Sequence, residues 1–147
     1  ARFMENCVLE GRISKEWAKA VRAEDIVKFL DSPLGQEMKR AFSENKLYRE
    51  RQFVMGIPAN MASPDFPKER EILVQGVVDA YFETAGGIVL CDYKTDNVPF
   101  GAAGREELVE KYKAQLDYYE VALNRMTGQR VVKKSIYSFK LGEEIVI

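Results

Sequence analysis

The stretch Gly86-Gly87-Ile88-Val89-Leu90-Cys91-Asp92-Tyr93-Lys94-Thr95-Asp96 decides how this chain is read. A glycine pair supplies a turn, and the apolar run after it reads as a strand. The run then ends in charge. Side chains alternate across a strand, so Ile88, Leu90, Asp92 and Lys94 share one face. Burying a carboxylate or an ammonium costs several kcal/mol unless it is paired or bound to a metal, so the end of this strand asks for a partner.

Upstream, Glu71 to Phe82 reads as a strand that places Asp79 late in an apolar run. Gly76 within it marks a bulge or a close backbone approach. Glu83 to Gly87 then makes a tight turn, joining this strand to the Asp92 strand as an antiparallel hairpin. Lys46 to Ile57 alternates Leu47, Arg49, Arg51 and Phe53 with Tyr48, Glu50, Gln52 and Val54, which predicts a preceding strand. Asn60 to Lys68 is a connecting loop. Downstream, Asn97 to Gly104 is a loop, and a helix is expected from about Arg105 to Thr127. It has Leu108, Tyr112, Gln115, Tyr119 and Ala122 on one face, with Leu116 and Leu123 alongside and Gly128 as its stop. Strands follow at Val131 to Phe139 and Glu143 to Ile147.

Residues 1–45 read as a helical lead-in. Phe3, Cys7, Val8 and Ile13 have loose helical spacing, continued after Ser14 by Trp17, Ala20 and Val21. A short helix from Asp25 carries Ile26, Val27, Phe29 and Leu30. Ser32 as N-cap and Pro33 at the first helical position open another helix to about Glu44, with Leu34, Met38, Ala41 and Phe42 as its apolar positions. The predicted architecture is α/β: one domain over 1–147, with a lead-in over 1–45 and a core over 46–147.

The 147 residues include 22 Lys plus Arg and 23 Asp plus Glu, a net charge of −1. Bulk charge therefore gives no argument for a polyanion partner, which would have to be held locally. There is no apolar run long enough for a membrane span and no signal-peptide pattern. The chain opens at Ala1 rather than a methionine and reads as a piece of a longer chain. Two distant cysteines suit a reduced cytoplasmic compartment and cannot by themselves build a four-cysteine site. With no histidine present, chemistry falls to carboxylates, Lys, Tyr and bound ions.

Asp79 and Asp92, at the ends of neighbouring strands, can share a divalent cation. Their hard oxygens favour Mg2+, with Mn2+ as a substitute. Lys94 on the face of Asp92 can orient a water or offset charge on phosphorus. The plain alternative is a buried Asp–Lys ion pair. Glu50 either joins the same site as a third carboxylate or pairs with Arg49 or Arg51 at the surface. Gln115 and Tyr119, four apart on one helix face, project together. They either satisfy internal hydrogen bonds or fasten a phosphate. The charged strand end is expected to lie outside the core, so replacing Asp92 or Lys94 should leave a cooperative fold.

Gly76-Val77-Val78-Asp79, Asp92-Tyr93-Lys94-Thr95 and Gln115 with Tyr119, together with Arg49-Glu50 before Phe53 and Ser32-Pro33-Leu34-Gly35, resemble the RecB-type nuclease family of the PD-(D/E)XK superfamily. The resemblance runs from about Ile26 onward. It implies a restriction-endonuclease-like αβββαβ core with a central mixed sheet flanked by helices, and a magnesium-dependent DNA exonuclease. On this sequence it implies Asp79, Asp92 and the Tyr93 backbone carbonyl as metal ligands and Lys94 as the catalytic amine. Glu50 matches the upstream acidic position, and Gln115 and Tyr119 match the helical motif. The family's upstream histidine has no counterpart here. The four-cysteine staple of some relatives is also missing, so no iron–sulfur cluster is expected.

The function expected from the resemblance is phosphodiester hydrolysis on DNA strands leaving a helicase, in double-strand-break processing and recombinational repair. The expected partners are single-stranded DNA, a helicase domain of the parent chain and a second helicase/nuclease subunit, with no membrane. ATP dependence would belong to the motor, which these residues lack. The alternative is a catalytically inactive nuclease-like scaffold or interaction module. A restriction-type enzyme of the same superfamily is a third reading, disfavoured by the Gln115–Tyr119 helix.

Overall fold

A computed structural model describes residues 2–14, 16 and 22–147. Ordered along the chain are α1 (Arg2–Leu9), α2 (Ala23–Asp31), α3 (Pro33–Ser43), β1 (Leu47–Pro58), a 3-10 turn (Ala59–Met61), β2 (Glu71–Thr84), β3 (Gly87–Lys94), α4 (Ala102–Thr127), β4 (Val131–Ser138) and β5 (Glu143–Val146). The expected α/β class holds, with a mixed sheet flanked by helices. The five strands lie in sequence order; β3 and β4 are parallel and the other neighbours antiparallel. The parallel pair follows from α4, because two strands joined through a helix return in the same direction.

The sheet has two covered faces. On one, Leu108, Leu116, Tyr119, Ala122 and Leu123 of α4 bury themselves against Phe53, Val78, Ile88, Leu90 and Ile136. Their spacing of three and four is the helical stripe seen in the sequence. Each fully buried leucine there contributes about 1.5–3 kcal/mol. On the other face, Phe29, Leu34, Met38 and Ala41 of α2 and α3 cover Ala80, Phe82, Val89, Cys91 and Tyr137. Ser32 caps α3 as expected: its Oγ accepts from Gly35 N at 3.1 Å and donates to the Phe29 carbonyl at 2.6 Å.

Several expectations are corrected. Phe42 is 63% exposed, and Ile26, Val27 and Leu30 also face out, leaving Phe29 as the buried side chain of α2. Helical spacing found the helices there but overstated how much of their surface is covered. Ile13 lies beyond α1, which ends at Leu9 before the left-handed Gly11. Helix α4 starts at Ala102, three residues earlier than expected. The proposed stripe through Trp17, Ala20 and Val21, and the side chain of Phe3, lie outside the described residues.

Strand β1 does not alternate simply. Tyr48 packs towards α4 and Leu47 towards α3, yet Phe53, Met55 and Ile57 face α4. Odd and even positions exchange faces in between, where Glu50 has φ of 51°. Strand β2 exchanges faces too: Ile72, Val74 and Val78 look towards α4, as does Tyr81, while Ala80 and Phe82 look the other way. Both exchanges fall at one level of the sheet.

Candidate active site

The site lies where the sheet forks. β1 and β2 stay paired from Leu47↔Phe82 out to Pro58↔Glu71, but β2 and β3 pair only from Thr84↔Gly87 to Ala80↔Cys91. Beyond Cys91, β3 stays with β4 through Lys94↔Ser138. Asp79 and Asp92 therefore stand at the crotch of the fork, on the next row of the β2–β3 register. The β1–β2 register puts Glu50 opposite Asp79 in that row, between the pairs Arg49↔Ala80 and Arg51↔Val78.

Instead of continuing the ladder, Tyr93 N donates to Asp79 Oδ2 at 3.0 Å. A carboxylate side chain thus replaces the missing β2 carbonyl. A residue's N–H and C=O lie on the same edge of an extended strand. The Tyr93 carbonyl accordingly looks into the fork on the side of Asp79.

Asp92 is 1% exposed, although a charged strand end was expected outside the core. The chain continues past it, and α4 closes over that face, so the charge is taken inside. Lys94 Nζ lies 2.5 Å from Asp92 Oδ2. Even so, that buried oxygen receives no hydrogen bond of good geometry. Burial pushes the Asp92 carboxyl up from the ordinary carboxylate range, Lys94 pulls it back, and the adjacent Asp79 carboxylate pushes it up further.

Helix α4 supplies the other wall. Gln115 Oε1 accepts from Lys94 Nζ at 3.1 Å, and Gln115 Nε2 donates to Tyr119 Oη at 2.6 Å. The four-residue spacing puts the two side chains together, so Tyr119 backs the Gln115 amide that meets the ammonium. Desolvation raises the Tyr119 hydroxyl, with Asp92 and Asp79 adding to it. Tyr119 also packs edge-on against Phe53, centroids 5.7 Å apart. Both rings fill the space over Gly76, where a Cβ would lie 2.9 Å from the Phe53 ring and 3.4 Å from Tyr119. The close approach expected at Gly76 is therefore ring against backbone.

Asp79, Asp92, Tyr93, Lys94, Gln115 and Tyr119 thus come together. Glu50 sits at the end of their row, exposed, and among the described residues it has no ion pair with Arg49 or Arg51. Among the described residues no three acidic or cysteine side chains converge as a ready metal cluster. The oxygen donors at the fork are two carboxylates and one main-chain carbonyl. A hard cation that keeps several waters suits so few protein ligands. Asp92 Oδ2, buried with no well-aligned hydrogen bond, fits such an ion.

Two contacts went unread in the sequence. The Tyr112 ring lies under Lys94 Nζ, 3.9 Å from its centroid, and Tyr112 Oη donates to Asp96 at 2.9 Å. The available signal was positional: Tyr112 precedes Gln115 by three residues on the same helix face, and Asp96 follows Lys94 by two.

No family model matches the chain. Curated relatives do. The chain is 36% identical to the AddA protein of the ATP-dependent helicase/nuclease from Lachnoclostridium phytofermentans, over 99% of its own length and 13% of that protein's. Identity to the same-named protein of Clostridium novyi is 38%, covering 99% and 12% of the two chains. For Levilactobacillus brevis it is 34%, covering 98% and 12%. The chain spans about one-eighth of the length of these relatives. It is thus a homologue of one segment of the AddA proteins of ATP-dependent helicase/nucleases.

Proposed function

We propose that this chain is a metal-dependent DNA nuclease domain of the PD-(D/E)XK type, one unit over 1–147, that hydrolyses phosphodiester bonds. The carrying observation is the fork, which brings Asp79, Asp92 and Lys94 to one place and leaves the buried Asp92 Oδ2 with only the poorly aligned Lys94 ammonium against it. An ion pair kept only for stability would be an odd use of that oxygen, since breaking even is the usual best for such a pair. The relatives' name, helicase/nuclease, supports the same reading.

Asp79, Asp92 and the Tyr93 carbonyl would hold Mg2+, or Mn2+ in its place. When bound, such an ion neutralises charge on the phosphate and makes a coordinated water more acidic. Lys94, fixed between Asp92 and Gln115, directs its ammonium at charge developing on the phosphate oxygens. Gln115 holds Lys94, and Tyr119 holds Gln115. In the reaction a water oxygen bonds to phosphorus, the ester P–O bond breaks, and the leaving oxygen takes a proton.

The nearly balanced charge suits a domain to which a motor delivers DNA better than one that captures it unaided. The wider reading is exonucleolytic processing of single strands from a helicase domain of a longer chain. That places it in bacterial cytoplasmic break repair, partnered by a second helicase/nuclease subunit. Among the described residues no helix is long and apolar enough to cross a membrane.

End-labelled linear DNA, single- and double-stranded, tests the activity. Magnesium-dependent shortening should appear with the chain and vanish with chelator, Asp92→Ala or Lys94→Ala. A chain that cleaves neither DNA and whose melting temperature is unmoved by magnesium would be the inactive scaffold instead.

A further inference from the structure

Among the described residues, Lys94 Nζ meets three groups, and only two follow from the motif residues. Asp92 Oδ2 lies at 2.5 Å and Gln115 Oε1 at 3.1 Å. The third is the face of Tyr112, centroid 3.9 Å away. That ring is itself held: its hydroxyl is 2.9 Å from both Asp96 oxygens, and Lys111 Nζ pairs with Asp96 at 2.5 Å. The Lys111 hydrogen bond keeps the Asp96 carboxyl below the usual carboxylate range. We infer that Tyr112, anchored by Asp96, is a positioning residue that sets where the Lys94 ammonium sits. This rests on the nuclease reading of the site.

The geometry explains why a third contact is needed. Lysine carries a flexible four-carbon stem, and its ammonium is a point charge without a preferred direction. Any cation that draws on the Asp92 carboxylate competes with Lys94 for it. Gln115 and the Tyr112 ring then remain to hold the amine. Tyr112 lies three residues before Gln115, so one helix face delivers both contacts. Asp96 leaves the same strand two residues after Lys94. The hydroxyl bond therefore ties the chain beyond β3 to α4 and fixes the ring's tilt under the amine. Partly desolvated amine–ring contacts are favourable, and directional where ion pairs are not.

Two measurements test it, the first without metal or activity. The Lys94 ε-methylene protons, one bond from the Nζ that lies over the Tyr112 ring, should resonate upfield of an ordinary lysine. They should return to the ordinary position in Tyr112→Leu and stay shifted in Tyr112→Phe. An unshifted Lys94 in the wild type would overturn the proposal, whatever the chain does to DNA. In the second, Tyr112→Leu should lower kcat about tenfold with KM for DNA unchanged, while Tyr112→Trp restores most of the rate. Asp96→Asn, which keeps the ring but loosens its anchor, should cost about threefold. Wild-type kcat in a folded Tyr112→Leu would refute the positioning role. If that variant fails to fold, the wild-type resonance and the Asp96→Asn rate decide. A wild type that cleaves nothing would sink the nuclease reading alone, leaving the resonance to judge the contact.

Discussion

Glu50 and Asp79 face each other across β1 and β2 at the level where both strands exchange faces. One strand further along the same row, Asp79 and Asp92 stand where β2 and β3 part. The irregular backbone and the acidic side chains coincide because a regular ladder would have spent the Asp79–Asp92 level on main-chain hydrogen bonds. Opening it frees the Tyr93 edge for a carboxylate and gives α4 a gap to wall.

Glu50 holds φ of 51° without being glycine. A left-handed conformation costs a side-chain-bearing residue roughly 1–2 kcal/mol. Glu50→Gly should therefore be no less stable than the wild type, whereas Glu50→Val, branched at Cβ, should lose about 1–2 kcal/mol. Urea unfolding of both variants checks this. Equal losses in the two would mean that the carboxylate, not the backbone, sets the stability at this position.

Gly76→Ala drives a methyl towards the Phe53 ring, which is 6% exposed and wedged against Tyr119. Such overpacking costs typically about 1–3 kcal/mol. Tyr119 holds Gln115 and Gln115 holds Lys94, so cleavage should suffer beyond the stability loss. Phe53→Leu added to Gly76→Ala should recover part of both. Additive losses in the double variant, measured by denaturation and by cleavage, would separate the two rings.

Much of this was legible in the sequence because periodicity reports burial. The alternation in β3 put Asp92 and Lys94 on the α4 face, and the spacing in α4 put Gln115 and Tyr119 opposite them. The fork was not legible. Alternation assumes one register throughout, and nothing in the residue types of β1 or β2 marks the change of faces except Glu50 and Asp79 themselves. The burial of Asp92 is not legible either: a strand's end looks open until the following helix is placed over it. The sequence puts Tyr112 on the helix face of Leu108, Gln115 and Tyr119 and says no more, because a tyrosine three residues from its neighbour on a helix face looks the same whether it covers leucine or an ammonium.

Leu116 and Phe42 separate true burial from apparent burial. Both sit at apolar positions of helical stripes, but Leu116 is 0% exposed and Phe42 is 63% exposed. Leu116→Ala should cost about 2–5 kcal/mol. Phe42→Ala should stay within about 0.5 kcal/mol of the wild type. Denaturation midpoints check both. A large loss from Phe42→Ala would mean its ring is covered in solution.

Asp92 should give the metal-free protein an unusual pH dependence. Burial raises its carboxyl in the folded state, so the folded chain keeps that proton to higher pH than the unfolded chain does. Between the ordinary carboxylate value and the raised one, the native state binds more protons, and stability falls as pH rises. Its contribution is complete below the unfolded value and lost above the folded one. Asp96 and Glu143 work in the opposite sense. Lys111 and Arg105 hold their carboxyls low, so their support is present above the ordinary value and fades in acid. Comparing the wild type with Asp92→Asn cancels those shared terms. With chelator present, the variant should gain on the wild type as pH rises above about 4. Lys94→Met, which removes the group pulling Asp92 down, should carry the decline to higher pH. Magnesium should restore the wild type at neutral pH and leave Asp92→Asn nearly unmoved, because a cation needs the charge that the substitution removes. Urea unfolding from about pH 4 to 9 with and without magnesium measures all of this. Parallel curves for the wild type and Asp92→Asn would show that the buried carboxylate carries no proton linkage of its own.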